Sequence, residues 1–254
     1  MRFDNYLVSI GLFDSRTKAR QAIDRGEIYL NSKQILKASL EIDSNNDFLN
    51  VKRVCQSDFV SLGGFKLEKA LKDFNLSVEN LVVADIGASA GGFTDCLLQN
   101  GAKKVFAVDL RDDLLSDKLK CDDRVEMIVK NARDLNSGDF NLSLDMIVAD
   151  LSFISISMVV DVFSNLLKKG NRLLLLIKPQ FEVGKRIKLK NGIIRDHALH
   201  KSICLNVYDE CVKRNLSPLA ITKAPEVEKK NLEFLFLLEK DGAIKLDRNF
   251  IDKI

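Results

Sequence analysis

The residues best suited by type and spacing to do chemistry form the run Asp85-Ile86-Gly87-Ala88-Ser89-Ala90-Gly91-Gly92-Phe93. It follows the apolar stretch Leu81 to Ala84, which reads as a buried strand, and leads into a helix. At such a turn small residues let a ligand reach the backbone, while helix-start amides and strand-end acids supply polar contacts. The spacing is not the G-x-G-x-x-G of dinucleotide sites, and Asp85 suits a cationic ligand group better than a pyrophosphate. S-adenosylmethionine carries such groups. Asp85, Gly87, Ala88, Ser89, Gly91, Gly92 and Phe93 are therefore expected to contact that cofactor. Asp109 and Leu110, at the end of the next apolar run, fall on its ribose side.

Two further polar clusters close apolar runs. Ala149-Asp150-Leu151-Ser152-Phe153 stands where enzymes that methylate base amino groups carry (Asp/Asn)-Pro-Pro-(Tyr/Phe), and it lacks those prolines. Asp150 is also placed to touch the cofactor. In Lys178-Pro179-Gln180-Phe181, the proline stops the run from continuing as a paired strand. If each run is a strand of one parallel sheet, Asp85, Asp109, Asp150 and Lys178 share its carboxyl edge, where open α/β sheets bind ligands. Taken alone, Lys178 reads as a solvated strand end, and Lys66 and Glu233 say still less.

The elements that must position these residues alternate. Leu67, Ala70, Leu71 and Phe74 have helical spacing, and apolar runs follow at 81–85, 105–108, 146–149 and 173–177, separated by helix-length segments. That is the pattern of a parallel sheet covered on both faces, a doubly wound Rossmann-like α/β domain. Near the end, Leu219 to Thr222 and Leu232 to Leu238 are strand-like runs joined by a short charged loop, which predicts an antiparallel edge.

The first segment is organised differently, as a small α+β module. A helix capped at Asp14 or Ser15 puts Ala19, Ala22 and Ile23 on one stripe and stops at Gly26. Arg16 and Arg20 flank one side of the stripe, Lys18 and Arg25 the other. A strand at Glu27 to Leu30, a turn at Asn31-Ser32, Lys33 and a last strand at Val51 to Val54 follow. The expected domains are 1–57, a linker 58–64, a catalytic domain 65–245 and a tail 246–254.

Composition allows this and narrows the rest. With 254 residues, 46% of them hydrophobic, the chain can bury one large core beside a small module. A net charge of +3 is too mild to argue a polyanion partner, so any such argument rests on where the cations lie. No apolar run approaches the roughly 20 residues needed to span a bilayer, and the first residues lack a signal-cleavage pattern, so cytoplasm is the expectation. The 5 cysteines are scattered without a CxxC pair, which argues against a disulfide framework or zinc site. His197 and His200 read as helix residues rather than metal ligands, and no metal is expected.

Several of these pieces occur in one order in a known family. Arg2-Phe3-Asp4, Ser15-Arg16-Thr17-Lys18-Ala19, Gly26 to Asn31, Gly63-Gly64-Phe65-Lys66-Leu67, Asp85 to Ala102, Asp150 to Ser155, Lys178 to Lys185 and Asn231 to Phe234 closely resemble the TlyA or haemolysin A family. Its members join an alpha-L RNA-binding module to an FtsJ-like ribose 2′-O-methyltransferase domain. The resemblance implies S-adenosylmethionine as cofactor, ribosomal RNA or a ribosomal subunit as partner, and a cytidine ribose hydroxyl as target. It also implies a catalytic Lys-Asp-Lys-Glu set at Lys66, Asp150, Lys178 and Glu233. In that set Lys178 acts as base or hydroxyl orienter, Lys66 as its electrostatic partner, and Asp150 and Glu233 as positioners. Arg2, Arg16, Lys18, Arg20, Arg25 and Lys33 become the RNA-binding cations, through phosphate contacts that give affinity without sequence choice.

Three departures stand out. Leu62 replaces the family's arginine before the first lysine. The Gly-rich stretch after Glu182 is reduced to Lys188-Leu189-Lys190-Asn191-Gly192, and Ala224-Pro225-Glu226-Val227-Glu228 replaces a Ser-Pro motif. Two rival readings follow: a cytolysin, suggested by the family name, and a ribosome-assembly factor that keeps the fold without turnover.

Overall fold

The computed structural model describes every residue except 25–26, 32, 44–48, 54–58, 184–191, 228–229 and 254. It separates into two compact units, Met1–Asp58 and Phe59–Ile254.

In the smaller unit, helix α1 (Phe3–Ser9) precedes α2 (Arg16–Asp24). Strand β1 (Ile28–Leu30) pairs antiparallel with both β2 (Lys33–Gln34) and β3 (Val51–Arg53). Phe3, Leu7, Ala19, Ala22, Ile23 and Ile28 are fully buried and form its core. The stripe expected at Ala19, Ala22 and Ile23 thus faces inward. The expected stop at Gly26 and the turn residue Ser32 lie outside the described residues.

The larger unit is built on a sheet with strand order β6-β5-β4-β7-β8-β10-β9 among the described residues. Its parallel strands are β4 (Val82–Ile86), β5 (Lys104–Asp109), β6 (Val125–Val129), β7 (Met146–Ala149) and β8 (Arg172–Ile177). β9 (Leu216–Lys223) and β10 (Phe234–Lys240) run antiparallel, with β10 between β8 and β9. β4 is buried at every position, as a central strand covered on both faces must be. One face packs on α3 (Gly63–Asp73) and α4 (Gly92–Gln99), the other on α6 (Val160–Leu166) and α8 (His197–Val212), while the short α5 (Asp117–Lys120) and α7 (Pro179–Glu182) follow β5 and β8.

The stretch expected as a linker belongs to this unit from Phe59 onward. The Val60 amide donates to Asp95 Oδ2 at 2.8 Å, and α3 already starts at Gly63. Close approach explains it: a Cβ on Gly92 would come 2.2 Å from Ser61 Oγ and 2.9 Å from the Gly64 nitrogen. The expected tail is packed as well, since Phe250 is buried against Tyr208 and Phe236.

Candidate active site

Strand order brings the expected chemistry to one edge. β4, β5, β7 and β8 run parallel, so Asp85, Asp109, Asp150 and Lys178 all fall at their carboxyl ends. Glu233 joins from the opposite direction. β10 pairs antiparallel with β8 in a register that sets Phe234 against Ile177, which leaves Glu233 and Lys178 as neighbouring residues just beyond the pair. Lys66 arrives from the first turns of α3.

These four side chains make one charge network. Lys66 Nζ lies 2.6 Å from Glu233 Oε2 and 4.0 Å from Asp150 Oδ2, while Lys178 Nζ is paired with Asp150 Oδ1. The directed hydrogen bond of Lys178 goes to Ser152 Oγ at 2.8 Å. With side-chain exposures of 11–22%, the groups are shielded but reachable. Two cations and two anions give a neutral quartet in which Asp150 bridges the lysines. The structure therefore differs from a direct lysine-lysine pairing, because each ammonium faces carboxylates.

Beside the quartet lies the glycine turn. Gly87 has φ +91°, and a Cβ there would sit 2.5 Å from the carbonyl oxygen of Asp150. Glycine thus allows the turn after β4 to touch the loop after β7. The Gly87 and Ala88 amides both donate to the Val108 carbonyl, at 2.8 and 3.0 Å. Asp109 accepts from the Ser89 amide at 2.9 Å and from the Leu110 amide at 2.7 Å, which fixes its carboxylate. Phe93, at the start of α4, is buried in the core with Ala88, while Leu110 is exposed.

Asp85 is completely buried. Its Oδ2 accepts from Thr94 Oγ1 at 2.7 Å, and its Oδ1 has no partner among the described residues. Burial, with the Asp150 and Asp109 charges adding to it, pushes the Asp85 carboxyl up to about 7. An orphaned buried oxygen beside a glycine turn fits a ligand that brings its own positive charge. Asp85, Asp109 and the turn from Gly87 to Gly92 are the residues that would hold S-adenosylmethionine.

Three contributors carried no sequence signal of their own. Ser152 steadies Lys178, and Thr94 steadies Asp85. Glu182, in α7 (Pro179–Glu182), accepts from Ser155 Oγ at 2.7 Å and from the Ile156 amide at 2.9 Å, tying the loop after β7 to the segment after β8. Burial raises the Glu182 carboxyl above its usual range. Phe153, in the same loop, is 89% exposed at φ +65°, and its ring centroid lies 4.9 Å from that of Phe181.

The cations of the small unit are engaged locally. Arg2 and Arg16 both reach the buried Asp4, at 2.8 and 3.2 Å, while Lys18 pairs with Asp14 and Arg20 with Asp24. Lys33 is exposed, and Arg25 lies outside the described residues. So do 188–191 and Glu228, where two of the departures fall. Leu62 stands at the start of α3 with no side-chain cap. Among the described residues no group of three or more His, Cys, Asp or Glu is placed to hold a metal ion.

Comparison with known proteins agrees with this layout. The family described as FtsJ-like methyltransferase matches residues 59–240, and the S4 domain matches 1–47. Hemolysin A of Brachyspira hyodysenteriae is 39% identical over 92% of this chain and 98% of its own. The 16S/23S rRNA (cytidine-2′-O)-methyltransferase TlyA of Mycobacterium tuberculosis is 35% identical over 81% of this chain and 77% of its own. A solved structure named as a hemolysin from Streptococcus thermophilus superposes with a TM-score of 0.75 at 35% identity, covering 100% of this chain and 94% of its own.

Proposed function

This chain belongs to the FtsJ-like methyltransferase family, with an S4 domain at its amino-terminal end, and from that membership we propose that it methylates a cytidine ribose 2′-hydroxyl of ribosomal RNA in the cytoplasm. The observation that carries the reading is the meeting of Lys66, Asp150, Lys178 and Glu233, drawn from four separate segments, beside the Asp85 turn. S-adenosylmethionine, when bound, supplies the electrophilic methyl group. A ribose hydroxyl reacts well only as its proton leaves, and Lys178 is the group set to orient the hydroxyl and, as the neutral amine, to take that proton and become an ammonium. Asp150 and Ser152 hold the Lys178 ammonium, while Lys66, anchored by Glu233, stabilises charge that develops on the ribose oxygen. Phe153 offers an exposed ring on which an unstacked base would rest. In the S4 domain, Arg2, Arg16, Lys18, Arg20, Arg25 and Lys33 supply phosphate contacts.

The cytolysin reading finds no support of this kind: among the described residues no helix is long and apolar enough to cross a membrane. The assembly-factor reading is separated by experiment. Labelled S-adenosylmethionine is incubated with ribosomal subunits and with bare ribosomal RNA, using the intact protein and Lys178→Ala. The expected result is label in alkali-resistant dinucleotides, reduced about 100-fold or more in the variant with RNA affinity unchanged. Cofactor and RNA binding without label would favour the assembly factor.

A further inference from the structure

Among the described residues, the Asp85 carboxyl keeps a buried oxygen, Oδ1, that receives no hydrogen bond; Asp150 Oδ1 also receives none, but Lys178 faces it as an ion pair. The quartet neutralises itself, because Lys66 and Lys178 both face Asp150, and Lys66 also faces Glu233. Among the described residues, Asp85 receives the Thr94 hydroxyl and, as a smaller contribution, the Thr94 backbone, both from α4. The charges that raise it are Asp150, after β7 and itself paired with Lys178, and Asp109, at the end of β5, and both are negative. The nearby Cys96 thiol on α4 is buried and pushed far up, so it adds no charge. Thr94 is itself fully buried, so its hydroxyl has been placed away from water to make this contact.

Resting on the S-adenosylmethionine reading, we infer that Thr94 is a positioning residue that holds Asp85 by Oδ2 and leaves Oδ1 for the ligand, and that cofactor binding expels one proton from Asp85. Without ligand the carboxyl keeps its proton below about pH 7, because an anion there would be dry and flanked by Asp109 and Asp150. A positively charged ligand reverses that preference. The O–H bond of Asp85 breaks, the proton passes to buffer, and the carboxylate pairs with the ligand without any bond to it forming.

Linkage makes this measurable. S-adenosylmethionine is titrated calorimetrically into the full chain between about pH 5.5 and 8, in buffers of different ionisation enthalpy. Affinity is expected to fall about tenfold per pH unit below about 7, with close to one proton released at about pH 6 and almost none at about pH 8. Asp85→Asn should remove the dependence and leave only the ligand's own ionisation. Thr94→Val, lacking the hydrogen bond that favours the ionised carboxyl, should move the break to higher pH, and Thr94→Ser should restore it. Tight binding with no proton released and no pH dependence overturns the linkage while leaving the cofactor reading intact. A Thr94→Val profile that matches the parent protein overturns the role of Thr94, and absence of binding at every pH overturns the cofactor reading too.

Discussion

Both units of the molecule gather charges, and they do so in opposite ways. On α2 of the small unit, Lys18 pairs with Asp14 and Arg20 with Asp24, four residues apart in each case, with every side chain more than half exposed. Such pairs are worth only about 0.3–0.5 kcal/mol and yield easily to a phosphate. In the large unit, Lys66 and Glu233 belong to distant segments of the chain and meet at 2.6 Å in a shielded pocket. There water competes less, and losing one partner strands a charge. Pairing set by local spacing leaves cations free to trade partners, whereas pairing set by the fold commits each one to a place.

The sharpest way to break this contrast is Lys66→Met. It leaves two carboxylates facing one ammonium, and it is expected to abolish methyl transfer and lower stability by about 2–4 kcal/mol in denaturant unfolding. Adding Glu233→Gln should restore the charge balance and most of the stability, with activity still absent. Full activity in the double variant would sink the quartet as catalytic machinery.

Asp4 tests the small unit at a buried acid. Hydrogen bonds from Arg2 and then Arg16 hold its carboxyl at about 2, with its side chain only 3% exposed. Because the folded value is depressed, the stabilisation is present above about pH 4 and fades as pH falls toward 2. Asp4→Asn should cost the small unit about 2 kcal/mol near neutrality, discounted because both arginines are exposed, and the loss should vanish in acid.

The smallest effect is expected where the sequence is loudest in charge. Lys18→Ala with Arg20→Ala should change stability by less than about 1 kcal/mol while weakening RNA binding and reducing the slope of log affinity against log salt by about 2. An unchanged salt slope would remove those two cations from the RNA-binding surface.

The same contrast explains what could be read from residues alone. Strand β7 falls at Met146–Ala149 as expected, because an uninterrupted apolar run in a central position has no other reading. β6 escapes notice because it flanks the sheet, and its Val125, Met127 and Val129 are only partly covered, with Glu126 interrupting the run. α1 escapes because a single buried pair, Phe3 and Leu7, marks its inner face beside the acid Asp4. That Arg2 and Arg16 share Asp4 depends on burial, which nothing in Arg2-Phe3-Asp4 announces. The quartet depends on the register between β8 and β10, so Lys66 and Glu233 acquired meaning only through resemblance to a family. Ser152 and Glu182 carry no signal of their own because their partners are set by strand order, and Thr94 because its partner is set by the turn between β4 and α4.

The place of β10 has a consequence for the life of the chain. It is made after β9 yet lies inside it, against β8. During synthesis the parallel strands can assemble with Lys66, Asp150 and Lys178 in position while β8 still presents an open edge. Glu233 arrives only when the last hairpin closes that edge, a long-range pairing of the slow kind. A nascent copy therefore lacks the carboxylate that anchors Lys66 until this last hairpin has folded.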